Sequence, residues 1–229
     1  MKPPYDITPR MLALITSVSE KIGEINAASL QKPATELRKR NRIRTIHSSL
    51  QIEGNSLTED QITAVFENRR IAGPKKDILE VQNAIATYSR MNEFVPTSLD
   101  SFCRAHQLLM KDLIKSPGKL RSEAVGIMKG KNLTHLAPPA KQVKALMNDL
   151  FKYVKTDHEI VLIKSCVFHY ECEFIHPFTD GNGRMGRLWQ TVILSRKYPV
   201  FEYLPVEAII RQKQPEYSNA LSVSDKEGK

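Results

Sequence analysis

A chain of 229 residues with 41 % hydrophobic and 26 % charged residues has globular proportions, enough for one large domain or one domain with a small appendage. No apolar run approaches the ~18 residues of a membrane span, the opening MKPPYDITPR lacks a secretory apolar stretch, and Cys103, Cys166 and Cys172 do not make a disulfide framework. The expectation is a cytoplasmic protein with buried, inert thiols, whose net charge of +9 suits nucleic acid, an acidic partner or a polyanionic small molecule.

The pattern is helical nearly throughout. Met11, Leu14, Ile15, Val18, Ile22 and Ile25 recur at three- and four-residue spacing and line one helix face, opened at Thr8-Pro9 and closed at Pro33. Leu37, Ile43, Ile46 and Leu50 mark a second helix that stops near Gly54. Arg38, Lys39, Arg40, Arg42 and Arg44 lie all around it rather than on one stripe, without interleaved aromatics, which reads as a solvated segment before a nucleic-acid groove. Thr58-Glu59-Asp60-Gln61 is a capping box that starts a third helix, ended by Gly73-Pro74. Ile78, Val81, Ile85 and Tyr88 form a fourth face, and Phe102, His106, Leu109 and Leu113 a fifth.

Residues 116–140 carry no helical period. Gly126 and Gly130 punctuate AVGIMKGKNLTHL between Ser-Pro-Gly and Pro138-Pro139, which reads as a short β-hairpin or an ordered loop. Helical pattern resumes with Val143, Leu146, Met147, Leu150 and Val154. Asp157 caps a further helix running to about Phe174, and another covers roughly Gly183 to Arg196. A helical stretch surrounds Tyr217 and Leu221 before the polar ending SVSDKEGK, an abrupt stop that reads as truncation.

The loop HPFTDGN interrupts the two helices that end near Phe174 and start near Gly183, and with the start of the second it reads HPFTDGNGRMGR, His176 to Arg187. Gly181, Asn182 and Gly183 open a helix, and a helix N-terminus offers unpaired N–H groups and a positive dipole end to an anion. Glycines let backbone approach a phosphate closely and form an anion nest. Arg184 and Arg187, three apart, share one side of that helix, and guanidinium forks suit phosphate oxygens. Asp180 beside the nest would repel a bare phosphate, which argues for a bridging Mg²⁺. His176 can take a proton near neutral pH. Taken singly, each residue has an ordinary structural use; no one structural role requires all of them together.

Two other matches fail on physical grounds. Gly181, Gly183 and Gly186 satisfy G-x-G-x-x-G, but a helix rather than a strand precedes them and the chain is not alternating α/β. Cys166, His169, Cys172 and His176 span ten residues of helix, a rise of about 15 Å, so the four cannot share an ion whose ligand bonds are near ~2 Å; helix packing is expected for the first three.

HPFTDGNGRMGR resembles the Fic motif HxFx[DE]GNGRxxR at every specified position, and the resemblance extends from about Glu36 to the chain end. SLQIEGN, residues 49–55, resembles the inhibitory motif [ST]xxxE[GN] of the subclass that carries its own inhibitory helix. The resemblance implies an all-α helical bundle with a small β-hairpin flap at GIMKGKNLTHLAPP. It divides the chain into N-terminal helices with the inhibitory helix, residues 1–56, and a catalytic core, residues 57–229. The activity implied is AMP transfer from ATP to a Ser, Thr or Tyr hydroxyl of a protein. By this resemblance His176 is the general base, Phe178 a buried anchor and Asp180 the ligand for Mg²⁺ or Mn²⁺. Gly181 to Gly183 with Asn182 cradle the phosphates, and Arg184, Met185, Gly186 and Arg187 continue the nucleotide site. Arg187 meets either the γ-phosphate or, at rest, Glu53 with Ser49. Leu133, Thr134, His135 and Leu136 line the nucleotide from the flap, and Tyr217 aligns with a residue near the base.

Members of the family generally continue with further helices after a segment like YSNALSVSDKEGK, and some add a winged-helix domain. The expected partner is therefore a target protein's hydroxyl, the chain's own included, with nucleic acid only through a missing C-terminal domain. No membrane is expected, and homo-oligomerisation is left open. The competing readings are a nucleotide-binding regulator, a DNA-binding protein, or an enzyme that removes AMP or transfers another nucleotide.

Overall fold

The computed structural model describes residues 2–27, 35–129 and 132–228; side chains are described outside 126–136. The described elements run α1 (Pro9–Ala27), α2 (Thr35–Ile52), α3 (Glu59–Phe66), α4 (Lys75–Ser89), α5 (Leu99–Leu109), β1 (Gly126–Lys129), β2 (Asn132–Leu136), α6 (Ala140–Thr156), α7 (Val161–Ile175), α8 (Asn182–Lys197), α9 (Val206–Gln212) and α10 (Gln214–Glu227). The fold is all-α, with one antiparallel pair of short strands.

α8 is the centre. Met185, Leu188, Trp189 and Val192 recur at helical spacing and are all fully buried. Trp189 is edge-on to Phe102, ring centroids 5.0 Å apart, and Phe151 and Phe168 complete the cluster around Phe102. Its indole N–H is satisfied by Pro96 O at 3.1 Å. α7 packs along α8, α6 backs α7, and α4 packs on α5. Ile43, Ile46 and Leu50 of α2 join this same core, so the N-terminal helix that carries Ser49 is built into the bundle.

Several local expectations need correction. α3 ends at Phe66, not at Gly73-Pro74: Asn68 takes φ 57°, and its N–H and that of Arg69 reach back to Val65 O and Ala64 O, the left-handed stop that asparagine tolerates. Asp157 does not cap α7, which begins at Val161; its carboxylate accepts the Glu159 N–H at 2.8 Å, and its residue closes α6 instead. α5 stops at Leu109, so Leu113 packs on the core from a turn. α9 was not read from the sequence. Of the α1 face only Ile22 is buried; Leu14 and Val18 are exposed, and Val18, Ile22 and Ile25 border an apolar groove of about 460 Å³ shared with Leu204 and Ile209. Cys172 is buried, but Cys103 is half-buried and Cys166 exposed.

The basic segment of α2 is largely engaged. Lys39 pairs with Glu67 at 2.7 Å, Arg42 donates to Tyr88 O and Arg38 lies over the Tyr203 ring. No described helix is long and apolar enough to cross a membrane.

Candidate active site

The segment from His176 to Arg187 is a short loop that leaves α7 and runs into the first turns of α8. His176 closes α7 in the left-handed conformation, φ 51° and ψ 61°, with its N–H on Cys172 O. Phe178 is fully buried and stacks flat on the His106 ring at 3.6 Å. The Asn182 amide closes the loop on itself, accepting the Phe178 N–H at 2.8 Å and donating to Phe178 O at 2.9 Å. Asn182 therefore braces the loop with its side chain, and only its backbone is left to face an anion. Gly181 precedes α8 at φ 83°, and a Cβ there would stand 2.7 Å from Met110 Sδ, so two constraints select glycine. α8 has no side-chain cap at its N-terminus, which leaves its first-turn N–H groups and positive dipole end to an external anion.

His106 supports this loop from α5. Its Nδ1 accepts the Gly118 N–H at 2.8 Å, which leaves Nε2 as the protonated nitrogen, donating to Asp180 O at 3.0 Å. Burial pulls its pKa down to about 4, so it serves as a neutral strut. The Asp180 side chain is 54 % exposed at the loop surface, with Oδ1 on the Gly181 N–H and 3.3 Å from Arg184.

The two arginines diverge. Arg184 reaches α4, where Glu80 Oε1 lies 3.3 Å away, and its buried Nε has no hydrogen-bond partner among the described residues. Glu80 Oε2 also accepts from Asn55 Nδ2 at 2.8 Å, joining α4 to the end of α2. Arg187 is 3 % exposed and turns to α2: Nη2 donates to Glu53 Oε1 at 2.8 Å and to Ser49 O at 3.0 Å, and Nε to Ser49 Oγ at 3.1 Å. The Arg187 donors are therefore divided between Glu53 and Ser49. Ser49, one turn before Glu53, takes the donors that a second carboxylate oxygen would have used. Burial works against the Arg187 charge, but the Glu53 carboxylate holds it firmly protonated. A Cβ at Gly183 would stand 2.6 Å from Glu53 Oε1, so the carboxylate lies directly on the first turn of α8.

Other expected site residues are placed differently. Met185 is fully buried in the core, because helical geometry turns it away from Arg184 and Arg187. Gly186 faces α7, where a Cβ would meet Glu173 Oε1 at 2.6 Å; it allows close helix packing. The Tyr217 hydroxyl is 2.7 Å from His169 Nε2. Burial raises its pKa, with the charges of Glu173, Arg187 and Glu53 nearby, so it borders the arginine side of the site. Glu173, on the last turn of α7, is pushed up to about 7 by burial, opposed by Arg187. Leu133, Thr134, His135 and Leu136 lie on β2, which pairs with β1 in the register Ile127 to His135 and Met128 to Leu133; the irregularity leaves Thr134 without a partner. Their side chains lie outside the described residues. Of the three residues expected to pack α7, Cys172 is buried and His169 meets Tyr217, but Cys166 is exposed.

His106, Glu80 and Arg121 were missed. Arg121, 4 % exposed, binds the backbone of His176. A His on an amphipathic helix face and an Arg in a loop carry no sequence signal of their own; their partners lie 74 and 55 residues away.

A family model for the Fic/DOC family matches residues 96–194. A Fic family protein from Desulfovibrio desulfuricans G20, known from its crystal structure, is 46 % identical with a TM-score of 0.95, over 100 % of this chain and 70 % of that one. A protein adenylyltransferase Fic of Nematostella vectensis is 29 % identical over 196 residues, 81 % of this chain and 44 % of its own length. A relative of the same name from Drosophila melanogaster is 25 % identical over 79 % of this chain and 37 % of its own. The chain thus spans less than half the length of these curated relatives. With nearly half its residues shared with a Fic protein of the same fold, and with residues 96–194 matching the family model, this chain belongs to the Fic/DOC family.

Proposed function

We propose that this protein is an adenylyltransferase that moves AMP from ATP onto a hydroxyl of a target protein, itself included, and that Glu53 restrains it. The observation that carries the reading is the carboxylate of Glu53 on the first turn of α8, paired with Arg187 at 2.8 Å. An anion already sits where a helix N-terminus and a buried guanidinium favour one. Phosphate oxygens would compete for the same groups.

In this reading the α8 N-terminus at Gly181 to Gly183, with Arg184 and Arg187, grips the polyphosphate. The buried, unpartnered Nε of Arg184 is a donor left for an oxygen ligand. His176 Nδ1 lies 3.4 Å from Glu173 O, an arrangement that favours Nε2 as the proton acceptor. The target oxygen forms a bond to the α-phosphorus, its proton passes to His176, and the bond to the bridging oxygen breaks so that pyrophosphate leaves. Positioning and charge neutralisation supply most of the acceleration. Asp180 suits a Mg²⁺ or Mn²⁺ that keeps its waters and shares the phosphates, because such ions take one or two carboxylates rather than a protein cage. The ion would neutralise phosphate charge. The hairpin β1–β2 would take the target segment as an added strand. Residues 1–56 would act as the restraining unit on a catalytic core of residues 57–229, in the cytoplasm where ATP is available.

With Glu53 on Arg187, ATP can bind only with its γ-phosphate displaced and its α-phosphate out of line. Labelled ATP incubated with the protein and a cell lysate tests this. Glu53→Gly is expected to raise self-modification and target modification more than tenfold, about 1.4 kcal/mol of barrier. His176→Ala in the same background should bind ATP and transfer nothing. A folded, ATP-binding Glu53→Gly protein with unchanged transfer would remove the restraint from the proposal. Transfer that survives His176→Ala would remove the base.

A further inference from the structure

We infer that Arg121 is a positioning residue that fixes the His176 backbone and the root of the β1–β2 hairpin on one guanidinium; the inference rests on the adenylyl-transfer reading. Its side chain is buried, and its donors are spent on carbonyls from separate segments. Nε donates to His176 O at 2.7 Å, and Nη2 to Ile175 O at 3.2 Å and Pro138 O at 2.6 Å. Nη1 donates to Glu123 O at 2.8 Å, and the Arg121 N–H to Pro177 O at 2.9 Å. Glu123 precedes β1 and Pro138 follows β2, so both ends of the hairpin are tied. Ile175 and His176 form the C-terminal end of α7, where carbonyl dipoles favour a cation. That compensation explains how a buried charge is held by neutral oxygens.

The geometry has a consequence for catalysis. His176 is a non-glycine residue in the left-handed region, a conformation that costs about 1–2 kcal/mol and persists only when its surroundings hold it. The bond from Arg121 Nε to its carbonyl is such a hold. The direction of the imidazole follows the backbone, and the hairpin root hangs from the same planar fork. Base and hairpin therefore keep one fixed relation, and the distance from His176 to a hydroxyl presented by the hairpin is set by Arg121. Lysine cannot substitute, because a single ammonium cannot serve carbonyls arrayed around a plane.

The test uses Arg121→Lys in the Glu53→Gly chain, alongside Arg121→Ala with and without added ethylguanidinium. Arg121→Lys is expected to lower kcat for transfer about 10- to 100-fold, the scale of a sub-ångström to 1 Å misplacement. It should raise KM for the target and leave the Kd of ATP within about threefold, as Arg121 touches neither arginine of the α8 turn. The pH midpoint of kcat should move, and the His176 ring resonances in NMR should shift and titrate at a different pH. Ethylguanidinium should restore part of kcat to Arg121→Ala. A purely structural arginine would lower Tm and leave kcat per folded molecule, the pH midpoint and the ring resonances of the parent; that result overturns the inference, as does failure of both variants to fold. If Glu53→Gly itself transfers no AMP, the adenylyl-transfer reading fails instead, and the NMR comparison still decides whether Arg121 positions His176.

Discussion

Asp180 sits at a junction of opposed demands. Its carbonyl is held by the neutral His106 ring, its Oδ1 covers the Gly181 N–H, and Arg184 stands 3.3 Å away, yet its side chain stays half-exposed. A carboxylate so close to an anion site is unfavourable unless a cation comes with the anion. The fixed backbone and the open side chain together fit a residue that holds a hydrated divalent ion against phosphate. Asp180→Ala is expected to lower transfer by at least tenfold while leaving the fold intact, because buried Arg184 loses its contact with Asp180 but keeps Glu80 at 3.3 Å. EDTA should abolish transfer by the parent and Mg²⁺ or Mn²⁺ restore it. Transfer by Asp180→Ala at the parent's rate, or insensitivity of the parent to EDTA, would show that the ion or its proposed ligand is misassigned.

At the scale of the element, the end of α2 explains why Glu53 can be where it is. The Gly54 N–H bonds Gln51 O and the Asn55 N–H bonds Leu50 O, with Gly54 at φ 89°, a left-handed stop that turns the chain sharply after Glu53. Asn55 then fastens the turn to Asp77 O and Glu80. Gly54→Ala strains that stop and should cost about 1 kcal/mol of stability. It should also raise transfer several-fold, because the strain is relieved by moving Glu53 off Arg187. Loss of stability without any rise in transfer would mean that the turn does not aim the carboxylate. Glu53 was legible in the sequence because Ser49, Glu53 and Gly54 fall within six residues that resemble a known inhibitory motif. The loop from His176 was legible in the same way, through its own contiguous motif. Glu80 was not, since it meets Arg184 across 104 residues and an isolated Glu on α4 reads as surface. α9 escaped because a helix of seven residues after Pro205 has too few turns to show a period. The α1 face was legible as apolar, but periodicity reports amphipathicity and not what covers it, and of that face only Ile22 is buried.

Across the whole molecule, burial has shifted acids and bases in opposite directions, and their effects on stability overlap. His106 and His169 are held near pKa 4 by burial, below the ordinary 6.5. The unfolded chain therefore binds more protons between those values, and stability from this pair rises as pH goes from about 4 to 6.5. Glu173 and Glu207 are held near 7 by burial, above 4.5. Here the folded chain binds more protons, and stability falls as pH rises from about 4.5 to 7. The two slopes largely cancel over the shared window, so the parent should show a flat stability profile there. Glu207 is the cleaner member to remove. It is 1 % exposed on α9; its Oε1 faces the Tyr88 hydroxyl of α4 at 3.3 Å, and its buried Oε2 has no partner among the described residues. Arg42 of α2 and Arg187 of α8 favour its charged form, yet burial dominates. Glu207→Gln keeps an acceptor for Tyr88 and never ionises. At pH 7 and above it should gain stability on the order of 3 kcal/mol over the parent, with little difference near pH 4.5. Urea unfolding at pH 5, 6, 7 and 8 reads this directly: the variant's stability should climb with pH where the parent's does not. A variant no more stable than the parent at pH 7 would mean that Glu207 is ionised in the folded chain, with the arginines of α2 and α8 outweighing its burial.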